Sequence, residues 1–214
     1  MGLLLNLGVL LTPAWLISGS RLLLAADVGL FLLGASVLCL ADLAGLDHRG
    51  LPADAAPRGR RVEGLAWAQG LAVLAVFWAG LAQRLGSHGG ALFGASVRAL
   101  GLVFMLAGAL LRHKAIRTLG ARFVTEIRVG PELVRRGVYG RIRHPSETGL
   151  LLASMGTGLL LSSPLALVVF VAVLLPIVVF RTRIEDEALA SAFGVDHDRY
   201  VREAGRFFPV RRRR

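Results

Sequence analysis

Long apolar runs with almost no charged residues are the feature that most constrains the fold of this chain. A membrane-spanning helix needs about 20 apolar residues, with a range of roughly 17–25. Three of the runs meet that length well, a fourth just meets it, and two are shorter. The runs comprise residues 22–41, 65–82, 92–111, 164–180, 3–17 and 149–162. With 55% hydrophobic residues in 214, the chain is too apolar for a soluble protein of its size.

We therefore predict an all-α, polytopic integral membrane protein. The expected architecture is a helical bundle of about six membrane segments, including a C-terminal helical hairpin, followed by a cytoplasmic amphipathic helix. A secretion signal is the competing interpretation of residues 1–20, but no basic residue precedes the apolar run and no A-x-A-like cleavage site follows it. We interpret this region as the first membrane helix.

The distribution of basic residues predicts the orientation in the membrane. When the polar stretches are assigned alternately to the two sides, 22 of the 25 Lys and Arg residues fall in 42–64, 112–147 and 181–214. Only Arg21 and Arg84 fall on the opposite side, while Arg98 lies within a span. By the positive-inside rule, both termini are cytoplasmic. The basic residues behind the net charge of +11 are then expected to lie near anionic lipid headgroups, which attract them. No nucleic-acid partner is expected.

Two charged residues lie inside predicted spans at similar depth from the outer side. Asp27 is about five residues into the second span and Arg98 about six residues into the fourth, roughly 8–9 Å deep. Intramembrane charges pair with one another or face a cavity, so an ion pair between the two hairpins is one hypothesis. Separate snorkelling of each side chain to the outer headgroups is the other.

A helical hairpin is predicted over residues 149–180. Ser162, Ser163 and Pro164 separate its two apolar runs, and a proline in the first turn after a serine is typical of a helix N-terminus. The two ends of a hairpin meet on the same membrane face. The sequence therefore predicts that Arg143 and His144 lie close to Arg183, Glu185 and Asp186. This topology brings together two polar stretches of the chain. They are "GPELVRRGVYGRIRHPSETG" from Gly130 and "RTRIEDEALASAFGVDHDRYVREAGRFFPV" from Arg181.

These two stretches resemble the isoprenylcysteine carboxyl methyltransferase family and the related membrane phospholipid methyltransferases. The resemblance covers about the last 85 residues, and the order and separation of the two blocks make it specific. The first block is matched by Leu133, Val134, Gly137, Tyr139, Arg143, His144, Pro145 and Gly149. The second block is matched by Glu185, Leu189, Phe193, Gly194, Tyr200 and Pro209. Two departures are Glu147 and His197, which stand where the family usually has tyrosine.

The apolar runs predict four N-terminal membrane helices within residues 1–111, and the resemblance implies a methyltransferase-like catalytic region in residues 112–214. It also implies S-adenosyl-L-methionine as cofactor, acting on a lipophilic or membrane-delivered acceptor. Arg143 or His144 suits the cofactor carboxylate and Glu185 the ammonium, while the ring of Tyr139 suits adenine or the sulfonium. The implied cofactor-binding residues are Leu133, Val134, Gly137, Tyr139, Arg143, His144, Pro145, Glu185 and Leu189. The implied catalytic residues are Arg183, to position an anionic acceptor, together with Glu185 and Glu147.

Two other classes of protein stay open at this point. Sterol-reductase-like membrane reductases carry a similar R-H-P block, although Asn and Tyr normally follow its proline and the second block is absent. A non-catalytic membrane scaffold is the other alternative. No metal is expected, because the single cysteine, Cys39, excludes a cysteine cluster. The bias towards Leu, Ala and Arg favours a GC-rich bacterial genome, so the expected location is the bacterial inner membrane.

Overall fold

The structure is a computed structural model that describes residues 28–35, 60–86, 91–120 and 132–210. Within these ranges the fold is all-α, as predicted, with one isolated parallel bridge between Ile142 and Gly205 and no strand. The helices are α1 (28–35), α2 (Arg60–Gly86), α3 (Ala95–Leu119), α4 (Pro145–Leu160), α5 (Pro164–Val169), α6 (Leu175–Phe193) and α7 (Val195–Glu203). A 3-10 turn, Gly137–Gly140, precedes α4, and a π-helical segment, Phe170–Leu174, joins α5 to α6.

Three of the described helical stretches are long and apolar enough to cross a membrane: Gly64–Gly86, Ala95–Leu119 and Pro164–Phe193. The predicted run 149–162 falls mostly in α4, which at 16 residues is roughly 24 Å long. Residues 3–17, and all of 22–41 except 28–35, lie outside the described residues. The total of six membrane segments therefore stays a prediction.

Helices α3 and α4 pack backbone against backbone through four glycines. Gly101 lies opposite Gly156 and Gly108 opposite Gly149, so that a Cβ atom added at any of the four would come closer than 3.0 Å to main-chain atoms of the other helix. Within each helix the two glycines are seven residues apart, which is two turns, so both lie on one face. Small residues of this kind let membrane helices approach closely. This contact fixes the position of α4 along α3.

The predicted hairpin turn is present at Leu161–Ser163, between α4 and α5. Ser163 is the N-cap of α5, and its Oγ accepts from the Ala166 amide at 3.1 Å. The same hydroxyl donates to Oε1 of Gln83 at 2.7 Å, which joins the turn to the end of α2. The hydrogen bond from the Phe93 amide to the Ser162 side chain joins it to the residues before α3.

The second arm of the hairpin runs as one continuous helical stretch from Pro164 to Phe193 despite containing Pro176. A proline inside a helix has no amide hydrogen to donate and crowds the carbonyl four residues earlier, here that of Ala172. This carbonyl lies within the π-helical segment Phe170–Leu174, and such widened turns commonly accommodate a break in the hydrogen-bond ladder. The helix of this arm therefore continues without interruption from the hairpin turn to the polar segment 181–186.

Two other predictions concern the N-terminal part of the chain. Asp27 lies outside the described residues, so the proposed pair between Asp27 and Arg98 stays a prediction. The boundary proposed at residues 111 and 112 falls inside α3, which continues to Leu119. Because α3 also packs on α4, both proposed regions contribute to one helical core, in which Phe31 of α1 contacts Phe77 of α2 edge to face at 5.3 Å.

The glycine contact predicts a specific pattern of stability. Gly108→Ala is expected to destabilise the protein by about 1–3 kcal/mol, because the added methyl group overpacks the interface. Gly70→Ala is the matched control, since nothing lies within 4 Å of a Cβ atom at that position of α2. It should be neutral or stabilise the protein by up to about 1 kcal/mol through helix propensity. Thermal unfolding in detergent measures both, and equal melting temperatures for the two variants would contradict the proposed contact.

Candidate active site

The start of α4 and the polar half of α6 meet at one end of the hairpin. His144 is the N-cap residue of α4, and its Nε2 lies 2.9 Å from Oδ1 of Asp186. Its Nδ1 lies 3.4 Å from Oε2 of Glu185, while Nη1 of Arg143 lies 2.8 Å from Oδ2 of Asp186. The prediction that the hairpin brings Arg143 and His144 to the acidic residues of α6 is confirmed.

The carboxylate of Asp186 is the centre of this network. Besides Arg143 and His144, it accepts hydrogen bonds from Arg206, whose Nε and Nη2 lie 3.1 and 2.9 Å from Oδ2. Its side chain is only 10% exposed, so these charge-assisted bonds form largely away from water, where they are strong. We call Asp186, Arg143, His144 and Arg206 the Asp186 network.

The C-terminal segment 204–210 lies alongside residues 141–144 and closes one side of this network. The amides of Arg143 and His144 donate to the carbonyls of Gly205 and Arg206 at 2.8 and 3.1 Å, and the Gly205 amide donates to Arg141 at 3.1 Å. The hydroxyl of Thr148 donates to the Phe207 carbonyl at 3.2 Å. These main-chain bonds place Arg206 beside Asp186, although the two residues are 20 positions apart in the chain.

Burial and the neighbouring carboxylates act in opposite directions on His144, which is 4% exposed. Burial alone lowers the pKa of its imidazole, but the hydrogen bonds to Asp186 and Glu185 outweigh that effect and raise the pKa from 6.5 to about 9. Because both ring nitrogens face carboxylates, the structure holds His144 as an imidazolium at neutral pH.

The 3-10 turn places Tyr139 beside the network. Gly137 begins the turn with a φ of +60° close to the Thr118 side chain, a backbone conformation that favours glycine. The Tyr139 carbonyl accepts from the Tyr200 hydroxyl at 2.7 Å, which anchors the turn to α7. Burial, followed by the negative charge of Glu185, raises the pKa of Tyr139.

A second polar cluster lies where α2, α4 and α6 meet. We call its members, Gln69, Glu147 and Arg181, the Glu147 cluster; all three are less than 9% exposed. Nε2 of Gln69 donates to Oε2 of Glu147 at 2.7 Å. Nε of Arg181 lies 4.0 Å from Oε1 of Glu147. Next to it, Nη1 of Arg112 donates to the Ser146 hydroxyl at 2.9 Å, which links α3 to the first turn of α4.

Several buried polar atoms around the Asp186 network have no hydrogen-bond partner among the described residues. They are both ring nitrogens of His197 and Nε of Arg143. His197 is 4% exposed, its Nε2 lies 3.9 Å from Oδ1 of Asp186, and burial lowers its pKa. Buried polar groups are ordinarily satisfied, so these atoms indicate a place for a polar ligand.

The structure brings together most of the site residues predicted from the sequence. Arg143, His144 and Glu185 lie close together around Asp186, Pro145 starts α4, and the half-buried Leu189 follows Glu185 by one turn. Arg183 is exposed on α6, whereas Arg181 points inward. The half-buried Leu133 and Val134 precede the 3-10 turn. The roles assigned to these side chains stay predictions.

Sequence reasoning missed Gln69, Arg206 and Arg112. A single amide in the otherwise apolar stretch "LAWAQGLAVLAV" was an available signal, because polar residues within membrane helices are rare and usually functional. Arg206 carried no comparable signal, since many arginines occur in the same part of the chain and only the bridge to residues 141–144 selects it.

The fold and the site together define a class: a helical integral membrane protein with a polar, charged site at one end of a hairpin. Residues 99–191 match the family model described as the isoprenylcysteine carboxyl methyltransferase (ICMT) family. The resemblance to this family found in the sequence is confirmed over this part of the chain.

Curated relatives and a solved structure are also similar to the chain. The chain is 35% identical over 105 residues to protein-S-isoprenylcysteine O-methyltransferase A of Arabidopsis thaliana, covering 47% of this chain and 53% of the relative. It is 34% identical over 110 residues to protein-S-isoprenylcysteine O-methyltransferase of Saccharomyces cerevisiae, covering 50% and 46%. The matched region thus spans about half the length of these relatives.

The fold is similar to that of a eukaryotic intramembrane Ras methyltransferase, isoprenylcysteine carboxyl methyltransferase. The similarity has a TM-score of 0.55 at 23% identity and covers 95% of this chain and 74% of the other. At that level of identity the likeness concerns the fold alone, and it extends to the N-terminal helices that the family model does not match.

The charge of His144 predicts how stability depends on pH. Its pKa in the folded protein is above the ordinary value of 6.5, so its contribution to stability is fully present below about pH 6.5 and is lost as the pH rises through about 9. By linkage that contribution is on the order of 3 kcal/mol. We expect the melting temperature in detergent to fall between about pH 7 and 9.5, and His144→Gln to flatten this dependence. The matched control His113→Gln, on α3 and outside the Asp186 network, should keep the wild-type slope; a wild-type slope in His144→Gln would refute the assignment.

Proposed function

We propose that this protein is an S-adenosyl-L-methionine-dependent methyltransferase of the membrane, acting on a lipophilic or membrane-delivered acceptor. The observation that carries the proposal is the contact between the two family blocks, since His144 of the first block pairs with Glu185 and Asp186 of the second. The family match of residues 99–191 supports methyl transfer over the reductase and scaffold alternatives.

The residues present fit the proposed cofactor. The unpartnered nitrogens of His197 and Arg143 are buried polar atoms suited to a polar ligand, and the Glu185 carboxylate, with 37% of its side chain exposed, is available for an ammonium group. Arg143 and His144 supply positive charge for the cofactor carboxylate, and the ring of Tyr139 suits the adenine or the sulfonium. Leu133, Val134, Gly137, Pro145 and Leu189 complete the proposed binding set. When bound, the cofactor supplies an electrophilic methyl group.

The protein's own residues would act mainly by positioning. The Asp186 network holds Arg143 and His144 in fixed orientations, and alignment of the reacting groups with exclusion of water is the chief requirement of a displacement at carbon. A carboxylate or thiolate acceptor needs no general base, whereas an amine or alcohol needs one, and Glu147 is a candidate for that role. Arg183 is the candidate for positioning an anionic acceptor.

The relatives' names describe O-methylation of protein-S-isoprenylcysteine. We propose for this chain the broader class of acceptors whose apolar part stays in the bilayer. Exposed apolar side chains cover the outside of α2 and α3, among them Trp67, Leu71, Val103 and Leu110, which suits access from the lipid. We further propose six membrane segments with both termini and the site on the cytoplasmic side, on the basis of the charge distribution. The bias towards Leu, Ala and Arg favours a bacterial inner membrane as the location.

Binding of the methyl donor tests the proposal directly. S-adenosyl-L-methionine should bind the detergent-purified protein in calorimetry, and Glu185→Gln should weaken binding about tenfold or more, because a charged hydrogen-bond partner is lost. Glu187→Gln, an exposed position two residues away on α6, is the matched control and should bind as the wild type does.

Transfer of a labelled methyl group from the donor into a lipid extract tests turnover and identifies the acceptor fraction. Labelled product in the lipid phase supports the proposed function. Binding of a nicotinamide cofactor in place of S-adenosyl-L-methionine would overturn it in favour of the reductase, and binding of neither would favour the scaffold.

A further inference from the structure

The Glu147 cluster lies next to the Asp186 network but is not part of it. Glu147 follows His144 by three residues on the first turn of α4, and Arg181 precedes Glu185 by one turn of α6, so each pair lies along one side of its helix. Gln69 joins them from α2 and is 6% exposed. The negative charges of Glu185 and Glu147 both add to the effect of burial in raising the pKa of Tyr139, which is consistent with a position of Tyr139 near both groups.

The hydrogen bonds of this cluster leave acceptor atoms unused. The Gln69 amide must point its Nε2 at Glu147, since the opposite orientation would set its oxygen against a carboxylate. Oε1 of Gln69 is then buried with no hydrogen-bond partner among the described residues. Oε1 of Glu147 is 4.0 Å from Nε of Arg181, a distance that allows ionic attraction but is too long for a hydrogen bond.

We infer that the Glu147 cluster binds the head group of the methyl acceptor and selects one whose nucleophile is an N–H or O–H group. This inference rests on the proposed function. A donor-bearing head group would satisfy the oxygens of Gln69 and Glu147 together. A carboxylate set against the oxygens of Gln69 and Glu147 would face a second carboxylate, whose charge is already paired with Arg181 at 4.0 Å, and an unsatisfied amide oxygen. Such juxtapositions reject a ligand.

The same carboxylate is placed to receive the proton that methylation of such an acceptor releases. As the bond from the acceptor nitrogen or oxygen to the methyl carbon forms, the sulfur–carbon bond of the sulfonium donor breaks and its electron pair stays on sulfur. The acceptor atom then loses its proton to Oε1 of Glu147. The hydrocarbon tail of such an acceptor stays in the bilayer, where its apolar surface is kept away from water.

The test compares three probes that share one long hydrocarbon chain and differ in the head group: a primary amine, a primary alcohol and a carboxylate. Equilibrium binding to the full-length, detergent-purified protein is measured in the presence of S-adenosylhomocysteine, so that no turnover occurs. We expect the amine or the alcohol to bind at least about tenfold more tightly than the carboxylate. The relative affinity of the first two probes shows which nucleophile the cluster prefers.

Variants assign this preference to the cluster. Glu147→Gln should weaken binding of the preferred probe by about ten- to hundredfold and narrow or reverse the discrimination against the carboxylate. Gln69→Leu should act in the same direction, and Glu187→Gln on the exposed face of α6 is the matched control. S-adenosyl-L-methionine binding by each variant establishes that it is folded, and Gln69→Leu supplies the test if Glu147→Gln does not fold.

Two outcomes would overturn the inference. One is tighter binding of the carboxylate probe by the wild-type protein, in which case Arg183→Ala should weaken that binding. The other is an unchanged preference in both Glu147→Gln and Gln69→Leu. Neither outcome affects the proposed methyltransferase function, which instead fails if the wild-type protein does not bind S-adenosyl-L-methionine.

Discussion

The close contact between α3 and α4 is the interaction on which the site depends. Four glycines let the two backbones come into direct contact. Because no side chains separate the backbones at these positions, one helix cannot shift along the other without a clash. In a membrane, apolar surfaces gain little from meeting one another, so van der Waals packing of this kind is a main source of helix association. The register set at Gly108 and Gly149 also brings Arg112 to Ser146, and thereby fixes the first turn of α4, which carries the site residues.

A fixed first turn on α4 makes the Asp186 network possible. Three positively charged side chains, those of Arg143, His144 and Arg206, surround the Asp186 carboxylate. Without that carboxylate the three positive charges would repel one another. The network therefore depends on the position of Asp186 along the second arm of the hairpin. That position requires the helical stretch to continue through Pro176. The glycine contact with α3 therefore positions α4, and the continuous second arm of the hairpin positions α6. Together these two features set the distances between the charged groups.

Topology explains how much of the site could be predicted from the sequence. The apolar runs and the Ser163–Pro164 signal predict a hairpin, and a hairpin necessarily brings His144 to Glu185 and Asp186, which the structure confirms. The inward direction of Arg181 and the outward direction of Arg183 could not be predicted in the same way. Both arginines lie on one helical turn, and which of them faces the core depends on the rotation of α6 about its axis, which tertiary packing decides.

The contribution of α2 to the site could not be predicted from the sequence for a related reason. Gln69 is 78 residues from Glu147 in the chain, and its only sequence signal is its polarity within an apolar helix. The amide of Gln69 has a partner only because the buried Glu147 carboxylate lies opposite it. The motif that the first block resembles has tyrosine at the position of Glu147. A tyrosine there would bring a hydroxyl that can donate, whereas Glu147 brings a charge and acceptor oxygens. Glu147 therefore offers Gln69 and any ligand only hydrogen-bond acceptors, and it is not itself part of the Asp186 network. If the proposed function holds, the Asp186 network serves the methyl donor and the Glu147 cluster serves the acceptor, so that the two can differ independently.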